Sequence, residues 1–198
     1  MEKYVVTLSR QFASMGRVIA QKMSKELAIE YYDRDIVEET SRRTGQPVPE
    51  ISSREEQGGS IFSNHKYPLG MGLISMQEEI FHVQSNIIRD LANQSSCIIV
   101  GRCADYVLRD IPRCLNIYVY APYEARLKNC TELLGMDEKT ARQMIREVDR
   151  ARDNYRLHYC GGIRSVLAHR DVMINSARFS LDQTAHILSG IVKEAFWD

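Results

Sequence analysis

The residues best suited to chemistry in this chain are arginines near the ends of apolar segments. Arg17 follows the first apolar segment across a short polar loop, and Arg102 follows the apolar run Cys97–Val100. Further arginines crowd one charged stretch, namely Arg146, Arg150, Arg152 and Arg156. Guanidinium groups stay charged and can contact two phosphate oxygens at once. Several of them converging on one group would meet the electrostatic requirement of phosphoryl transfer.

The charged stretch also allows a simpler interpretation. Its arginines alternate with acidic residues, namely Glu147, Asp149 and Asp153. Such alternation is typical of a solvated helix face with salt bridges between neighbouring turns. Helical spacing predicts Arg146, Arg150 and Arg156 near one face and Arg152 away from it. A charge straight after a buried strand has no such explanation, so Arg102 is the stronger candidate.

The segment after the first apolar run could bind an anion. Tyr4–Leu8 has the bulky composition of a buried strand, and a helix follows with apolar residues four apart, at Ile19, Met23 and Leu27. A strand, a tight loop and a helix N-terminus direct backbone N–H groups and the helix dipole toward an anion. An ordinary strand-to-helix turn is the alternative, because only Gly16 matches the phosphate-loop pattern G-x-x-x-x-G-K-S/T.

Asp33 has two possible roles. It follows a short extended segment, Ile29–Tyr32, and precedes a helix that is predicted to stop at Gly45. Its carboxylate could cap the N-terminus of that helix. It could also lie at the carboxyl end of a strand, where α/β proteins bind their ligands. The two roles do not exclude each other.

Strand and helix patterns alternate along the 198 residues and predict one α/β domain with a parallel sheet. Later strands are predicted at Cys97–Val100, Leu115–Tyr120 and Val172–Asn175. Later helices are predicted over residues 73–93, 122–134 and 137–155, and from Ser180 onward. Residues 46–71 contain several prolines and glycines, which predicts a mobile loop or flap.

The overall composition favours a cytoplasmic protein that does not bind nucleic acid or a membrane. Lys and Arg together number 26, as do Asp and Glu, so no global field attracts nucleic acid or a membrane. No signal peptide is evident, and no apolar run approaches the ~20 residues of a membrane span. The five cysteines include no C-x-x-C pair, which favours reduced thiols. The histidines have no ligand spacing, so no metal site built from protein alone is expected.

Taken together, these segments resemble the cytidylate kinase-like family of P-loop nucleoside monophosphate kinases over nearly the full length. Residues 9–20 are similar to the phosphate loop of that family, and Tyr32–Asp35 to a segment that helps build the monophosphate site. Val100–Arg102 resembles the step that holds a pyrimidine nucleotide. Residues 149–159 resemble the arginine-bearing lid, and residues 122–126 the helix start before it.

The resemblance implies a three-layer fold, with a central parallel sheet flanked by helices, a lid over 146–160 and an acceptor-side flap over 46–71. It implies transfer of the γ-phosphoryl group of ATP, with Mg²⁺, to a pyrimidine nucleoside monophosphate such as CMP or dCMP. The residues it assigns to the ATP phosphates are Ala13, Ser14, Met15, Gly16, Arg17 and Val18. Those it assigns to phosphoryl transfer are Arg17, Arg150 and Arg152, and those for the acceptor are Asp33 and Arg102.

The phosphate loop departs from the family pattern at its charged and metal-binding positions. Arg17 stands where the family has lysine. A nearby threonine helps hold the metal in the family, but Val18 and Ile19 offer no oxygen here. Ser14 and Thr7 are therefore the remaining hydroxyl candidates for the metal.

Two smaller departures lie nearby. Ala13 and Met15 occupy loop positions that are usually glycine, and their side chains could block close approach of a ligand to the backbone. Cys103 replaces a common aspartate after Arg102. These changes keep two further functions open: a nucleotide-binding or sensing protein that has lost the transfer, and a kinase for another small acceptor.

Overall fold

The protein is built on a five-stranded sheet in the order β2-β3-β1-β4-β5, in which every pairing is parallel. The computed structural model describes residues 2–56, 71–162 and 167–197. The strands are β1 (Val5–Arg10), β2 (Glu30–Tyr32), β3 (Cys97–Val100), β4 (Cys114–Tyr120) and β5 (Val172–Asn175).

Helices connect successive strands, as parallel pairing requires. They are α1 (Gly16–Leu27), α2 (Arg34–Thr44), α3 (Val48–Glu56), α4 (Met71–Gln94), α5 (Ala104–Val107), α6 (Tyr123–Lys128), α7 (Glu138–Tyr159) and α8 (Leu181–Phe196). A π-helical turn, Asn129–Leu133, extends α6. Within the described residues, no helix is both long and apolar enough to cross a membrane.

The sheet is covered on both faces because successive side chains of a strand point to opposite sides. Val6 and Leu8 of β1 pack in one cluster with residues of α1 and α8. Val5 packs in a second cluster with residues of α2, α4 and α5. The predicted three-layer α/β fold with a central parallel sheet is therefore confirmed.

The prediction of irregular structure over residues 46–71 is wrong where α3 runs. Proline is tolerated in the first turn of a helix, because the N–H groups there have no partner within the helix. The carbonyl of Pro47 accepts hydrogen bonds from the N–H groups of Glu50 and Ile51. Ile51 is fully buried in a cluster with Val37 and Ile80. The rest of the expected flap, residues 57–70, lies outside the described residues.

The expected lid, residues 146–160, falls almost entirely within α7. Asp137 caps this helix by accepting a hydrogen bond from the N–H of Thr140 at 3.0 Å. The helix continues to Tyr159, one turn beyond the predicted end. The ring of Tyr159 stacks on Phe81 of α4, with the ring centroids 4.2 Å apart. This contact holds the C-terminal half of α7 beside the sheet.

Candidate active site

The carboxyl ends of β1, β2 and β3 are neighbours, and a charged residue stands at each. Arg10 ends β1, Asp33 follows β2, and Arg102 follows β3 by two residues. A cleft of about 550 Å³ opens at this edge of the sheet. Its charged lining consists of Arg10, Arg17, Asp33, Arg34, Arg102, Asp149, Arg152, Asp153, Arg156 and Arg170.

Asp33 is the centre of the charges in this cleft. Its Oδ2 lies 2.5 Å from Nε of Arg17, and its Oδ1 lies 3.3 Å from Nη1 of Arg102. The hydroxyl of Tyr31 donates to Oδ2 at 3.3 Å, and Nη2 of Arg10 lies 3.8 Å from Oδ1. Burial acts to raise the pKa of Asp33, but the charges of Arg10, Arg102 and Arg17 outweigh it and hold the pKa below its ordinary value. Asp33 is therefore ionised and pairs with several arginines.

The structure decides between the two roles considered for Asp33. Asp33 occupies the N-cap position of α2, but its side chain makes no capping hydrogen bond. Its carboxylate turns to the arginines instead. Asp33, Arg17 and Arg102 are thus brought together at the carboxyl edge of the sheet.

The turn that carries Arg102 has an unusual backbone. Gly101, Arg102 and Cys103 all have positive φ angles, of 80°, 51° and 52°. For residues other than glycine this conformation costs about 1 kcal/mol or more. The turn directs the Arg102 side chain back over β3, where Nη1 also donates to the carbonyl of Val100 at 3.3 Å. The backbone strain thus coincides with the position of a functional candidate.

The loop between β1 and α1 turns its carbonyl groups toward the protein. The carbonyls of Phe12, Ala13 and Ser14 accept hydrogen bonds from more distant side chains, namely Arg126 at 3.3 Å, Asn129 at 2.9 Å and Ser176 at 2.8 Å. Phe12 N–H donates to Asp149 at 2.7 Å. Side chains from the second half of the chain therefore fix the loop from behind.

The opposite face of this loop presents N–H groups. Within the described part of the chain, no hydrogen bond is made by the backbone N–H of Ala13, Met15, Gly16, Arg17 or Val18. Ala13 and Met15 adopt left-handed φ angles of 57° and 61°, a region that glycine enters at least cost. The Ala13 side chain packs away from this face, against Leu127 and Cys130. The geometry suits an anion despite the missing glycines.

Neither hydroxyl that the sequence left as a metal candidate faces the cleft. Ser14 Oγ donates to the carbonyls of Gln11 and Val119, at 2.9 and 3.1 Å. Thr7 Oγ1 donates to Oδ1 of Asn116 at 2.7 Å. Both hydroxyls are buried, and their hydrogen bonds stabilise contacts within the protein. Among the residues that the structure describes, no cluster of three or more His, Cys, Asp or Glu side chains could hold a metal ion.

The arginines of α7 separate into two groups. Arg152 and Arg156 line the cleft, and Arg152 donates to the carbonyl of Arg10 at 3.1 Å. Arg146 and Arg150 are exposed and are absent from the cleft lining. At about 100° per residue, Arg150 lies roughly 200° around the helix from Arg152, so one orientation of α7 cannot bring both into the cleft. The structure does not place Arg150 with the other expected catalytic residues.

Sequence reasoning missed several charged residues of this site. Asp105 is fully buried, and its Oδ2 lies 2.6 Å from Nη1 of Arg156 and 2.9 Å from Nη1 of Arg170. Arg170 also donates to Ser9 Oγ at 3.0 Å. Asp105 and Arg170 are 65 residues apart and neither follows a strand, so the sequence contains no signal for their contact. The sequence does contain a signal for Arg10, because this charged residue ends a buried strand, and Arg102 follows one by two residues.

Comparison with solved structures places this fold among known ones. An uncharacterized protein from Eubacterium ventriosum matches with a TM-score of 0.71 at 22% identity, over 96% of this chain and 99% of that chain. Shikimate kinase from Acinetobacter baumannii, in complex with shikimate, matches with a TM-score of 0.54 at 13% identity, over 99% of this chain and 96% of that chain. A sugar kinase from Janibacter sp. HTCC2649 matches with a TM-score of 0.53 at 14% identity, over 94% of this chain and 92% of that chain. The chain therefore shares its fold with these proteins.

Comparison with sequences gives the family. No curated protein sequence matches the chain. The model of the cytidylate kinase-like family matches residues 5–178, a span that contains all five strands and every charged residue of the cleft. This chain therefore belongs to the cytidylate kinase-like family.

Proposed function

We propose that this protein is an ATP-dependent kinase that transfers the γ-phosphoryl group to a pyrimidine nucleoside monophosphate such as CMP or dCMP. The observation that carries the proposal is the charge of the cleft. Seven arginines line it against three aspartates, and buried Asp105 adds one carboxylate beside two of those arginines. The excess positive charge suits a ligand with several negative charges, such as a pair of nucleotides.

The phosphates of ATP would lie on the loop between β1 and α1. The N–H groups of residues 13 and 15–18 provide donors there, and the N-terminus of α1 adds positive potential. Arg17 stands in the first turn of α1, and its side chain is half exposed. The Arg17 side chain can therefore turn from Asp33 to a bound ligand. Arg17 would thus contact the phosphates as the lysine of other phosphate loops does.

The acceptor would lie on the β2–β3 side of the cleft. Asp33 and Arg102 stand there, and Val37, Val48 and Ser52 form the neighbouring wall. A pyrimidine acceptor is proposed because the step Val100–Arg102 resembles the pyrimidine-binding step of the family. In this arrangement the acceptor phosphate faces the ATP phosphates across the cleft, and transfer depends mainly on their alignment.

Arg152 would stabilise the phosphoryl group during transfer. It stands on α7, opposite the loop, and its contact with the Arg10 carbonyl holds it at the cleft. Charge spreads over the phosphoryl oxygens in the transition state, and a fixed guanidinium neutralises it. A protein that only bound nucleotides would not need such an arginine on α7.

The residues of the cleft also fit a magnesium ion bound mainly through nucleotide phosphates. Magnesium keeps several waters and takes one or two protein carboxylates. Asp153 lines the cleft, and burial together with Asp149 raises its pKa, a condition that a nearby cation would relieve. Asp153 would therefore hold the ion, whose positive charge would offset that of the nucleotide phosphates.

The test is ADP release from ATP and Mg²⁺ with a panel of acceptors: CMP, dCMP, UMP, AMP and shikimate. We expect turnover with CMP or dCMP on the order of 1–100 s⁻¹, as is usual for kinases, and much less with AMP. Reactions without acceptor, and with EDTA in place of Mg²⁺, are the controls. Nucleotide binding without turnover on any acceptor would contradict a kinase, and turnover with shikimate alone would contradict the acceptor.

A further inference from the structure

Two cysteines from distant parts of the chain meet beside the turn that carries Arg102. Cys103 is the last residue of that turn, and Cys160 directly follows the last residue of α7. The thiol of Cys103 donates a hydrogen bond to the sulfur of Cys160. Cys103 is 7% exposed and lines the cleft, whereas Cys160 is fully buried. The fold therefore brings two reduced thiols together at the inner edge of the cleft.

Contacts on either side of the two cysteines hold these segments together. Arg156 lies one helical turn before Cys160, and its carbonyl accepts a hydrogen bond from the Cys160 N–H at 2.8 Å. The Nη1 of Arg156 lies 2.6 Å from Oδ2 of Asp105, which is two residues beyond the other cysteine. A β-carbon at Gly161 would lie 3.8 Å from the hydroxyl oxygen of Tyr106. The meeting of the two sulfurs thus follows from the packing of α5 against the end of α7.

The surroundings favour a thiolate at Cys160. The hydrogen bond from Cys103, with the charges of Arg156 and Arg170, outweighs burial and the charge of Asp105 and lowers the pKa of Cys160. The same hydrogen bond, together with burial, raises the pKa of Cys103, which keeps the proton. A thiolate is the reactive form of cysteine, and a neighbouring thiol can complete a disulfide. The pair therefore has both the nucleophile and its partner in place.

We propose that Cys103 and Cys160 form a reversible disulfide when hydrogen peroxide enters the cleft, and that this bond locks the end of α7 to the turn of Arg102. The Cys160 thiolate attacks the peroxide, so that an S–O bond forms, the O–O bond breaks, and the hydroxide released takes up a proton. The Cys103 sulfur then attacks the Cys160 sulfur, loses its proton and displaces the oxygen as a second water. Each sulfur gives up one electron, and the two electrons reduce the peroxide. The inference goes beyond the proposed function and does not depend on it.

A second pair of cysteines provides a control within the same chain. Cys97 of β3 and Cys114 of β4 both stand in register with Val5 of β1, which lies between those strands. Two strand spacings separate their backbones by about 10 Å, and a disulfide requires less than about 7 Å between the α-carbons. Burial also raises the pKa of both thiols to about 12. Cys97 and Cys114 should therefore stay reduced under conditions that link Cys103 to Cys160.

The first experiment treats the reduced full-length protein with a small molar excess of hydrogen peroxide and maps linked peptides by mass spectrometry. We expect a link between Cys103 and Cys160 and a fall in free thiols from five to three, with dithiothreitol restoring all five. The link should be absent in Cys160→Ser and present in the matched control Cys114→Ser. A link between any other two cysteines, no link, or sulfinic acid in place of the link would overturn the proposal.

Amide hydrogen exchange tests the lock. Residues 101–104 and the last turn of α7 should exchange about 10-fold more slowly after peroxide treatment, because a cross-link suppresses local opening, and β4 should not change. Cys160→Ser, or Cys103→Ser if that variant does not fold, should show no slowing. Unchanged exchange in the linked protein would refute the lock. Neither measurement needs turnover, so an inactive kinase would leave this inference standing, and a missing link would leave the proposed function standing.

Discussion

Asp33 illustrates how one ionised carboxylate can organise several cations before a ligand arrives. Its oxygens contact Arg17 and Arg102, and they hold Arg10 nearby. In the proposed function a phosphate would compete with Asp33 for the same guanidinium groups, so binding would exchange one anion partner for another. In the free protein, the contacts with Asp33 keep these arginines ordered, which would reduce the entropy lost when a ligand binds.

At the residue scale, Arg102→Ala and Arg17→Ala should have different effects. Arg102→Ala should weaken CMP binding by about 10-fold or more, because a buried charge-assisted contact is lost, and should leave ATP affinity unchanged. Arg17→Ala should weaken ATP binding, by less, because its side chain is 52% exposed. Calorimetric titration of each variant with each nucleotide measures both effects. A loss of ATP affinity alone in Arg102→Ala, or unchanged nucleotide affinity in Arg17→Ala, would refute the assigned positions.

The sequence could predict the meeting of Arg17, Asp33 and Arg102, because Asp33 and Arg102 stand just after strands and Arg17 follows β1 across one short loop. The carboxyl ends of adjacent parallel strands share one edge, so order along the chain becomes proximity in space. The sequence could not predict which face of α7 turns toward the cleft. The prediction that Arg156 shares a face with Arg146 and Arg150 is wrong, because four residues bring Arg156 back to the side of Arg152, and both line the cleft. Only packing on the sheet decides which face of α7 turns inward. That packing turns Arg152 to the cleft and Arg150 to solvent.

At the element scale, Asp105 ties α7 to the turn that bears Arg102. Asp105 lies in α5, which begins straight after that turn, and it binds Arg156 of α7 and Arg170 before β5. The guanidinium of Arg170 also lies 5.1 Å from the ring centre of Tyr118 in β4. Two helices, α5 and α7, and the segment before β5 thus meet at one buried carboxylate. The position of the cleft arginines therefore depends on a residue that need not touch any ligand.

Asp105→Asn should lower the free energy of unfolding by about 3 kcal/mol, because it leaves two largely buried guanidinium groups without their counter-charge. Urea denaturation measures the change. The matched control is Asp182→Asn in the exposed pair with Lys22, where about 1 kcal/mol or less is expected. Equal effects of the two substitutions would show that the buried cluster does not position α7.

The start of α3 shows where local signals mislead. Pro47, Pro49 and nearby glycines predict a loop, yet a helix begins at Val48. Prolines in a first turn are compatible with a helix, and the burial of Ile51 against α2 and α4 provides the stabilisation. Tertiary packing of this kind joins residues distant in sequence, so composition alone does not reveal it.

At the scale of the whole molecule, a formal net charge of zero conceals a strong local asymmetry. The arginines gather at the carboxyl edge of the sheet, where the lining has more than twice as many cations as carboxylates. Acidic residues elsewhere balance the total. The positive field is therefore focused in the cleft, where it would attract small anions.

The proposed phosphoryl transfer takes place in this cleft, with Arg152 as the stabilising cation. The most direct test compares ADP release from ATP and CMP in Arg152→Ala and Arg150→Ala, two substitutions of the same chemistry two residues apart on α7. We predict that kcat falls about 100-fold or more in Arg152→Ala with little change in KM, and stays within about 3-fold in Arg150→Ala. A loss in Arg150→Ala as large as that in Arg152→Ala, or no loss in Arg152→Ala, would contradict the claim.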